Sequence, residues 1–224
     1  MDYEVMMNGC VKLGDNAPDF VANSTMGEIK LSDYKGKWVV LFSHPGDFTP
    51  VCTTEIIAFS KANNYFVDRN TYLIGLSVDS NPSHLAWVYD IFCKTGIKVP
   101  FPIIADANGA IARKYGMISK SINNTETVRN VYIIDKEGVV RVILVYPMTI
   151  GRNIPEILRI IDAVQTADCN NASIPANWYP GEPIIVPMPR TYGELEKRVE
   201  SINKHHDGMS WYLSFKEPKE CKKI

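Results

Sequence analysis

The stretch KWVVLFSHPGDFTPVCTTE, which runs from Lys37 to Glu55, decides the fold of this chain. Its first half, WVVLFSH, is a short apolar run rich in β-forming residues and predicts a buried strand. Pro45 and Gly46 end that strand. Thr49-Pro50 predicts the start of a helix, because threonine is a good N-cap and proline suits the first helical position. Cys52 is then the third residue of the helix and lies near the carboxyl end of a strand, where functional groups collect in α/β folds.

Strand and helix patterns alternate along the chain after this unit. Further strands are predicted for TYLIGLSVD from Thr71, PIIAD from Pro102, NVYIID from Asn130 and VVRVILVY from Val139. Further helices are predicted from Asn81, around Ile111, and from about residue 153 to 166. The apolar positions are Ile56, Phe59 and Phe66 on the first helix and Leu85, Val88 and Phe92 on the second. This order predicts an α/β, thioredoxin-like fold with an N-terminal extension, in which parallel crossovers are combined with an antiparallel hairpin.

The composition changes after residue 168. Five prolines lie between residues 173 and 190, and because proline fixes φ and lacks a donor, an extended arm is predicted there. A helix over about 191–206 and an aromatic tail follow. We therefore divide the chain into a thioredoxin-like domain, residues 1–168, and a C-terminal arm, residues 169–224, which we expect to pack on a second subunit because exposed apolar surface is costly.

Composition excludes several classes of function. The chain has 224 residues and a net charge of −1, so there is no excess of basic residues that would indicate binding to nucleic acid. No apolar run approaches the roughly 20 residues of a membrane helix, and the N-terminus lacks a signal-peptide pattern, so we expect a cytoplasmic protein. The five cysteines are widely spaced with no C-x-x-C, and the four histidines do not fall at ligand spacing from cysteine pairs, so no zinc site is predicted. We expect reduced thiols, no metal and no cofactor.

The position of Cys52 indicates a reactive thiol. The first amide groups of a helix have no partner in the helix, and together with the helix dipole they favour an anion there. The thiolate is the nucleophilic form of cysteine. The alternative is an inert core cysteine, since free cysteines are commonly buried.

The segment SHPGDFTPVCTTE resembles the peroxidatic loop of peroxiredoxins, with the family's proline, threonine and cysteine at Pro45, Thr49 and Cys52. VRNVYIID, YPMTIGRN and the long C-terminal arm resemble the one-cysteine, peroxiredoxin-6-like branch. The resemblance implies a thiol-dependent peroxidase that reduces hydrogen peroxide and organic hydroperoxides through a cysteine sulfenic acid and serves antioxidant defence. It also implies an external thiol reductant such as thioredoxin or glutathione, and a homodimer or a decameric ring of dimers.

The resemblance assigns roles to four residues. Cys52 is expected to attack the peroxide, Thr49 to orient it, and Pro45 to shield the thiolate from water. Arg129 is expected to lie beside the sulfur, where its charge favours the thiolate and stabilises the leaving oxygen. The alternative for Arg129, judged without the resemblance, is a surface ion pair.

Three supporting residues keep two interpretations each. Arg152 either assists Arg129 or is a charge at a helix start. Glu55 either anchors one of these arginines or is an exposed acid of the first helical turn. His44 either takes part through a hydrogen bond or a proton, or is a histidine with its hydrogen bonds satisfied at the end of a strand.

The remaining thiols do not decide how the oxidised Cys52 is reduced. The V-C-P motif of two-cysteine peroxiredoxins is absent, and Cys169, in ADCNN, matches it poorly. Cys221 lies in a lysine-rich tail expected to be mobile, and it is a candidate for resolving Cys52 of a partner subunit. Cys93 is predicted to be a core thiol, and Cys10 receives no role.

Two other functions compete with the peroxidase. A thioredoxin-type disulfide oxidoreductase normally needs a C-x-x-C at the helix start, whereas Thr53, Thr54 and Glu55 follow Cys52 here. A redox-inactive oligomer acting as a holdase or scaffold is the non-enzymatic alternative. The G-x-S-x-G lipase motif of some relatives is absent, so phospholipase activity is not expected.

Overall fold

A computed structural model describes residues 10–119, 121–122, 125–205 and 208–221. The chain divides into two compact units, one up to Ile154 and the other from Pro155. The boundary that the sequence predicts, between residues 168 and 169, stays a prediction. No helix in the described part of the chain combines the length and the apolar character that crossing a membrane requires.

The first unit is built on a seven-stranded sheet in the order β2-β1-β5-β4-β3-β6-β7. Strands β3, β4 and β5 are parallel, whereas β6 pairs antiparallel with β3 and with β7. The strand bounds are β1 Val21–Ser24, β2 Gly27–Lys30, β3 Trp38–Ser43, β4 Thr71–Ser77, β5 Ile103–Ala105, β6 Arg129–Ile134 and β7 Val140–Tyr146. The predicted mixture of parallel crossovers and a C-terminal hairpin is present, and the N-terminal extension supplies an extra hairpin, β1-β2.

Three helices and a 3-10 turn complete the first unit. The turn spans Leu31–Tyr34, and the helices are α1 Pro50–Val67, α2 Asn81–Thr95 and α3 Ala110–Lys114. The predicted core positions of α1, which are Ile56, Phe59 and Phe66, have no exposed surface. Phe59 stacks on Phe42 of β3 at a centroid distance of 4.2 Å, so α1 packs on β3 directly behind the start of the helix.

The predicted apolar face of α2 was wrong. Leu85 and Phe92 are 46% and 48% exposed, whereas the buried positions are His84, Trp87 and Ile91. The two sets have the same spacing but differ by one residue. The hydrophobic pattern failed because one inward position is a histidine, whose burial depends on hydrogen bonds with the rest of the unit.

The second unit contains two helices and a small antiparallel sheet in the order β8-β10-β9. Its elements are α4 Ile154–Asn170, β8 Ile184–Ile185, α5 Tyr192–His205, β9 Gly208–Ser210 and β10 Leu213–Lys216. The proline-rich segment is largely irregular, as predicted, and only β8 interrupts it. Trp211 and Tyr212 of the aromatic tail are 43% and 56% exposed.

Candidate active site

Cys52 is the third residue of α1, at the position that the sequence predicts. Thr49 is the N-cap residue with extended backbone, and Pro50 is the first helical residue. The Thr49 side chain does not cap the helix: its hydroxyl donates to the carbonyl of Gly46 at 3.0 Å. That bond keeps Thr49 Oγ1 in the loop before the helix, with its lone pairs available to accept a further hydrogen bond.

Arg129, the first residue of β6, lies beside the sulfur. Its Nη1 donates to Cys52 Sγ at 3.3 Å and to Glu55 Oε2 at 2.7 Å. Its Nε and Nη2 both donate to the carbonyl of Met148, at 2.9 and 2.8 Å. Because these bonds and the fork of the guanidinium fix its orientation, one N–H is directed at the sulfur.

Arg152 and Glu55 form a second, fully buried pair. Arg152 donates through Nε to Glu55 Oε1 at 2.8 Å and through Nη2 to Glu55 Oε2 at 2.7 Å. Its backbone N–H also donates to Glu55 Oε1, at 2.8 Å. The side chain of Arg152 has no exposed surface and that of Glu55 has 2%, so Glu55 is not an exposed first-turn acid and Arg152 is not a solvated helix-start charge.

The acidity of Glu55 reflects this environment. Burial alone pushes the pKa of Glu55 upward, but the hydrogen bonds and charge of Arg152, with the charge of Arg129, outweigh burial and hold the pKa below its ordinary value. Burial lowers the pKa of Arg152, but arginine remains protonated in proteins. Glu55 is therefore an anion and Arg152 a cation at neutral pH.

The charges of this cluster favour a thiolate. Two guanidinium groups, from Arg129 and Arg152, share a single carboxylate, that of Glu55. A neutral thiol would leave one buried positive charge uncompensated, whereas a thiolate at Cys52 makes the cluster electrically neutral. Unpaired buried charge is strongly unfavourable, so the arrangement stabilises ionised sulfur.

The sulfur of Cys52 is closed to solvent in this conformation. Cys52 has 0% of its surface exposed. Pro45 is also buried, in the loop that connects β3 to α1. A peroxide reaches the sulfur only when neighbouring groups move.

A hydrogen-bonded group that the sequence analysis did not identify lies in the same loop. The carboxylate of Asp47 is 3.1 Å from His44 Nε2 and 2.8 Å from His84 Nδ1. His84 comes from α2, and its other ring nitrogen lies 3.1 Å from the carbonyl oxygen of Ile104 in β5. His44 is fully buried, and of its two interpretations the structure shows a hydrogen bond at one ring nitrogen only.

The remaining cysteines depart from expectation. Cys169 and Cys221 form a disulfide with a Cα–Cα distance of 5.9 Å, so the expectation that all thiols are reduced was wrong. The two positions are 52 residues apart, and only the return of the tail to the end of α4 brings them together. Cys93 is exposed on α2 and is not a core thiol, and Cys10 is also exposed.

The tail carrying Cys221 is bound through the side chain and the backbone of one residue, Asn170. Lys219 donates its backbone N–H to Asn170 Oδ1 at 2.8 Å, and Lys216 Nζ donates to the Asn170 carbonyl at 3.0 Å. The amide of Asn170 donates to the sulfur of Cys221 at 3.5 Å. The tail as far as Cys221 is therefore attached to the end of α4, contrary to the expectation of a mobile segment.

Two family models match the chain. The model described as the AhpC/TSA family matches residues 13–143, and the model described as the C-terminal domain of 1-Cys peroxiredoxin matches residues 163–201. The chain is also 60% identical over 206 residues to peroxiredoxin 2 of Caldanaerobacter subterraneus subsp. tengcongensis, across 92% of this chain and 93% of the relative.

Solved structures share the fold. A yeast mitochondrial 1-Cys peroxiredoxin superposes with a TM-score of 0.81 at 38% identity, covering 92% of this chain and 99% of its own. A cysteine-to-serine mutant of peroxiredoxin 6 of Arenicola marina gives a TM-score of 0.81 at 34% identity, covering 94% of this chain and 100% of its own. The predicted thioredoxin-like α/β fold is thereby confirmed.

Proposed function

The chain belongs to the peroxiredoxin family, in its one-cysteine branch, and we propose that Cys52 is the cysteine with which it attacks peroxide. Its activity is that of a thiol-dependent peroxidase, an oxidoreductase that acts on peroxide. The assignment to Cys52 is supported by its position in α1 and by Arg129 Nη1 at 3.3 Å from its sulfur.

The proposed reaction is a displacement at oxygen. The thiolate of Cys52 attacks one oxygen of the peroxide, an S–O bond forms and the O–O bond breaks. The sulfur is oxidised to a sulfenic acid and the peroxide is reduced. The other oxygen leaves with the electron pair of the broken bond and takes a proton from the solvent, which gives water or an alcohol.

Five residues support this step. Arg129 stabilises the ionised sulfur and the negative charge that develops on the leaving oxygen. Arg152 and Glu55 hold Arg129 in place through the buried pair. Thr49 Oγ1, which donates to Gly46, accepts the hydrogen bond of the peroxide O–H, and Pro45 keeps water from the thiolate.

The observation that carries the proposal is the charge balance around Cys52: two buried guanidinium groups, one carboxylate and one sulfur. The test is peroxide consumption with dithiothreitol as the electron donor. Cys52→Ser should abolish turnover, whereas Cys93→Ser, which changes an exposed thiol, should retain it. Full turnover in Cys52→Ser would exclude Cys52 as the nucleophile.

Reduction of the sulfenic acid is proposed to use a thiol from outside the chain. Cys221, the candidate resolving residue, is bonded to Cys169, so its sulfur is not free to attack Cys52 until that disulfide is reduced. A solved relative is described as resolved through glutathione and thioredoxin systems. By analogy, we propose glutathione, thioredoxin or a similar thiol as the reductant here.

We propose a cytoplasmic antioxidant enzyme that assembles as a homodimer, with a decameric ring of dimers as the larger form. The exposed aromatic side chains of the second unit, Trp211 and Tyr212, support a subunit contact. Light scattering tests the assembly: a monomeric mass would contradict it.

A further inference from the structure

The loop between β3 and α1 depends on one carboxylate, that of Asp47. Its side chain has 2% exposed surface, and it accepts from His44 at 3.1 Å and from His84 at 2.8 and 3.0 Å. Its backbone N–H donates to Asp79 Oδ2 at 3.1 Å. Thr49 belongs to the same loop, two residues further on, and is the N-cap of the helix that carries Cys52.

The proton count on these groups follows from what each can donate. Burial pushes the pKa of Asp47 up, but the hydrogen bonds of His44 and His84 outweigh burial and hold it well below its ordinary value. Asp47 is therefore a carboxylate, and a carboxylate only accepts hydrogen bonds. Each imidazole nitrogen that faces Asp47, His44 Nε2 and His84 Nδ1, must carry a proton.

The second nitrogen of His84 faces another acceptor. His84 Nε2 is 3.1 Å from the carbonyl oxygen of Ile104, and a carbonyl oxygen has no proton to give. Satisfying both contacts requires N–H on both ring nitrogens, and His84 has no exposed surface through which bulk solvent could satisfy either nitrogen. We propose that His84 is a buried imidazolium and a positioning residue, which through Asp47 holds His44 with its Nδ1 atom unprotonated.

As a consequence, the buried Nδ1 atom of His44 carries no proton. Burial lowers the pKa of His44 below its ordinary value, against the effect of Asp47, so the ring is neutral at neutral pH. Its one proton is on Nε2, directed at Asp47. His44 Nδ1 is buried and has no hydrogen-bond partner among the described residues. In the peroxidase reaction on which this inference rests, His44 can therefore accept a proton but not donate one from Nδ1.

A bound cation is the competing explanation. One ligand atom from each of His44, Asp47, Asp79 and His84 lies within 4.8 Å of the others. A metal ion on His84 Nδ1 would remove the need for a proton there. The hydrogen-bonded arrangement is favoured because the 2.8 Å contact of His84 with Asp47 is direct, and because Asp79 Oδ2 is already engaged by Ser77 Oγ at 2.6 Å and by the Asp47 amide.

The first test counts ring protons in the wild-type protein. Nuclear magnetic resonance of ¹⁵N-labelled histidine at neutral pH should show two protonated ring nitrogens for His84 and one, Nε2, for His44. Elemental analysis of the same sample should show no stoichiometric metal. A single ring proton on His84, with or without a bound metal, would overturn the proposal. The count needs no turnover, so it is independent of whether Cys52 is the nucleophile.

The second test separates positioning from a general loss of structure. His84→Gln keeps one donor for Asp47 but loses the charge and the second N–H, and we expect kcat/KM for peroxide to fall about tenfold. Without the charge of His84, Asp47 is held less firmly as the acceptor for His44 Nε2, so the His44 ring should then populate both tautomers. Leu85→Ala, at an exposed neighbouring position on α2, should change neither value. Unchanged kcat/KM together with an unchanged His44 tautomer in His84→Gln would show that His84 does not position His44.

Discussion

The carboxylate of Glu55 receives two parallel hydrogen bonds from Arg152, at 2.8 Å from Nε and 2.7 Å from Nη2, across 97 positions of sequence. The same arginine donates through Nη1 to the carbonyls of Ser43 in β3 and Asn130 in β6, at 2.8 and 3.0 Å. This one pair therefore connects α1, strands β3 and β6 and the segment after β7, and it supports the arrangement of Arg129 and Cys52.

Replacing Glu55 with glutamine should strongly destabilise the fold. The change leaves two buried guanidinium groups with the Cys52 thiolate as their one anion, and removing one partner of a buried ion pair typically costs about 3–5 kcal/mol. Chemical denaturation measures the free energy of unfolding. Glu137→Gln, at a side chain 63% exposed, is the control and should stay within about 0.5 kcal/mol of wild type. A similarly small change in Glu55→Gln would contradict the role assigned to the pair.

Stability should fall in acid through Glu55. Its pKa is lower in the folded chain than the ordinary value of about 4.3, so its contribution is fully present above that pH. As the pH falls below about 4, the unfolded state takes up a proton that the folded state does not, and the contribution is lost. Urea midpoints measured between neutral pH and about pH 3 should decline more in wild type than in Glu55→Gln. Parallel declines would show that Glu55 is not the group responsible.

Replacing Arg129 with alanine should reduce the thiolate at Cys52. The N–H at 3.3 Å from the sulfur and one buried positive charge are lost, so the thiolate is less favoured and the leaving oxygen is less stabilised. Thiolate absorbance in the ultraviolet should drop at neutral pH, and the rate with hydrogen peroxide should fall by about a hundredfold. Arg190→Ala, at an exposed arginine, is the control. Wild-type absorbance in Arg129→Ala would remove Arg129 from the site.

The sequence predicts the residues next to the peroxide better than it predicts the buried hydrogen-bonded residues around them. Cys52 can be located because a strand, a Pro-Gly turn and a Thr-Pro helix start are local signals. Arg129 is placed only by resemblance to the family, since its contact with Cys52 spans 77 positions. Asp47 and His84 were missed. His84 is a buried histidine that interrupts the apolar face of α2, and its hydrogen bonds to other elements leave no periodic pattern in the sequence.

Native Cys52 should react slowly with thiol-alkylating reagents. Its side chain has no exposed surface, whereas Cys10 and Cys93 are exposed thiols. Iodoacetamide followed by peptide mass spectrometry should label Cys10 and Cys93 first, and Cys52 should become labelled at their rate only after denaturation. Equal labelling of the three thiols in the native protein would mean that the loop before α1 opens freely in solution.

The disulfide between Cys169 and Cys221 should be reducible without loss of peroxidase activity. Cys169 lies on the surface, so an external thiolate can attack its sulfur and release Cys221 as a thiol. Asn170 keeps the tail in place through Lys219 and Lys216, so the two sulfurs remain neighbours and the bond re-forms on oxidation.

Mass spectrometry after alkylation should find these two peptides cross-linked without reductant and doubly alkylated after dithiothreitol. Cys221→Ser should consume hydrogen peroxide at the wild-type rate with dithiothreitol, because the proposed reductant acts on Cys52 directly. Loss of turnover in Cys221→Ser, with a Cys52–Cys221 cross-link in the wild-type protein after peroxide, would instead make Cys221 the resolving cysteine.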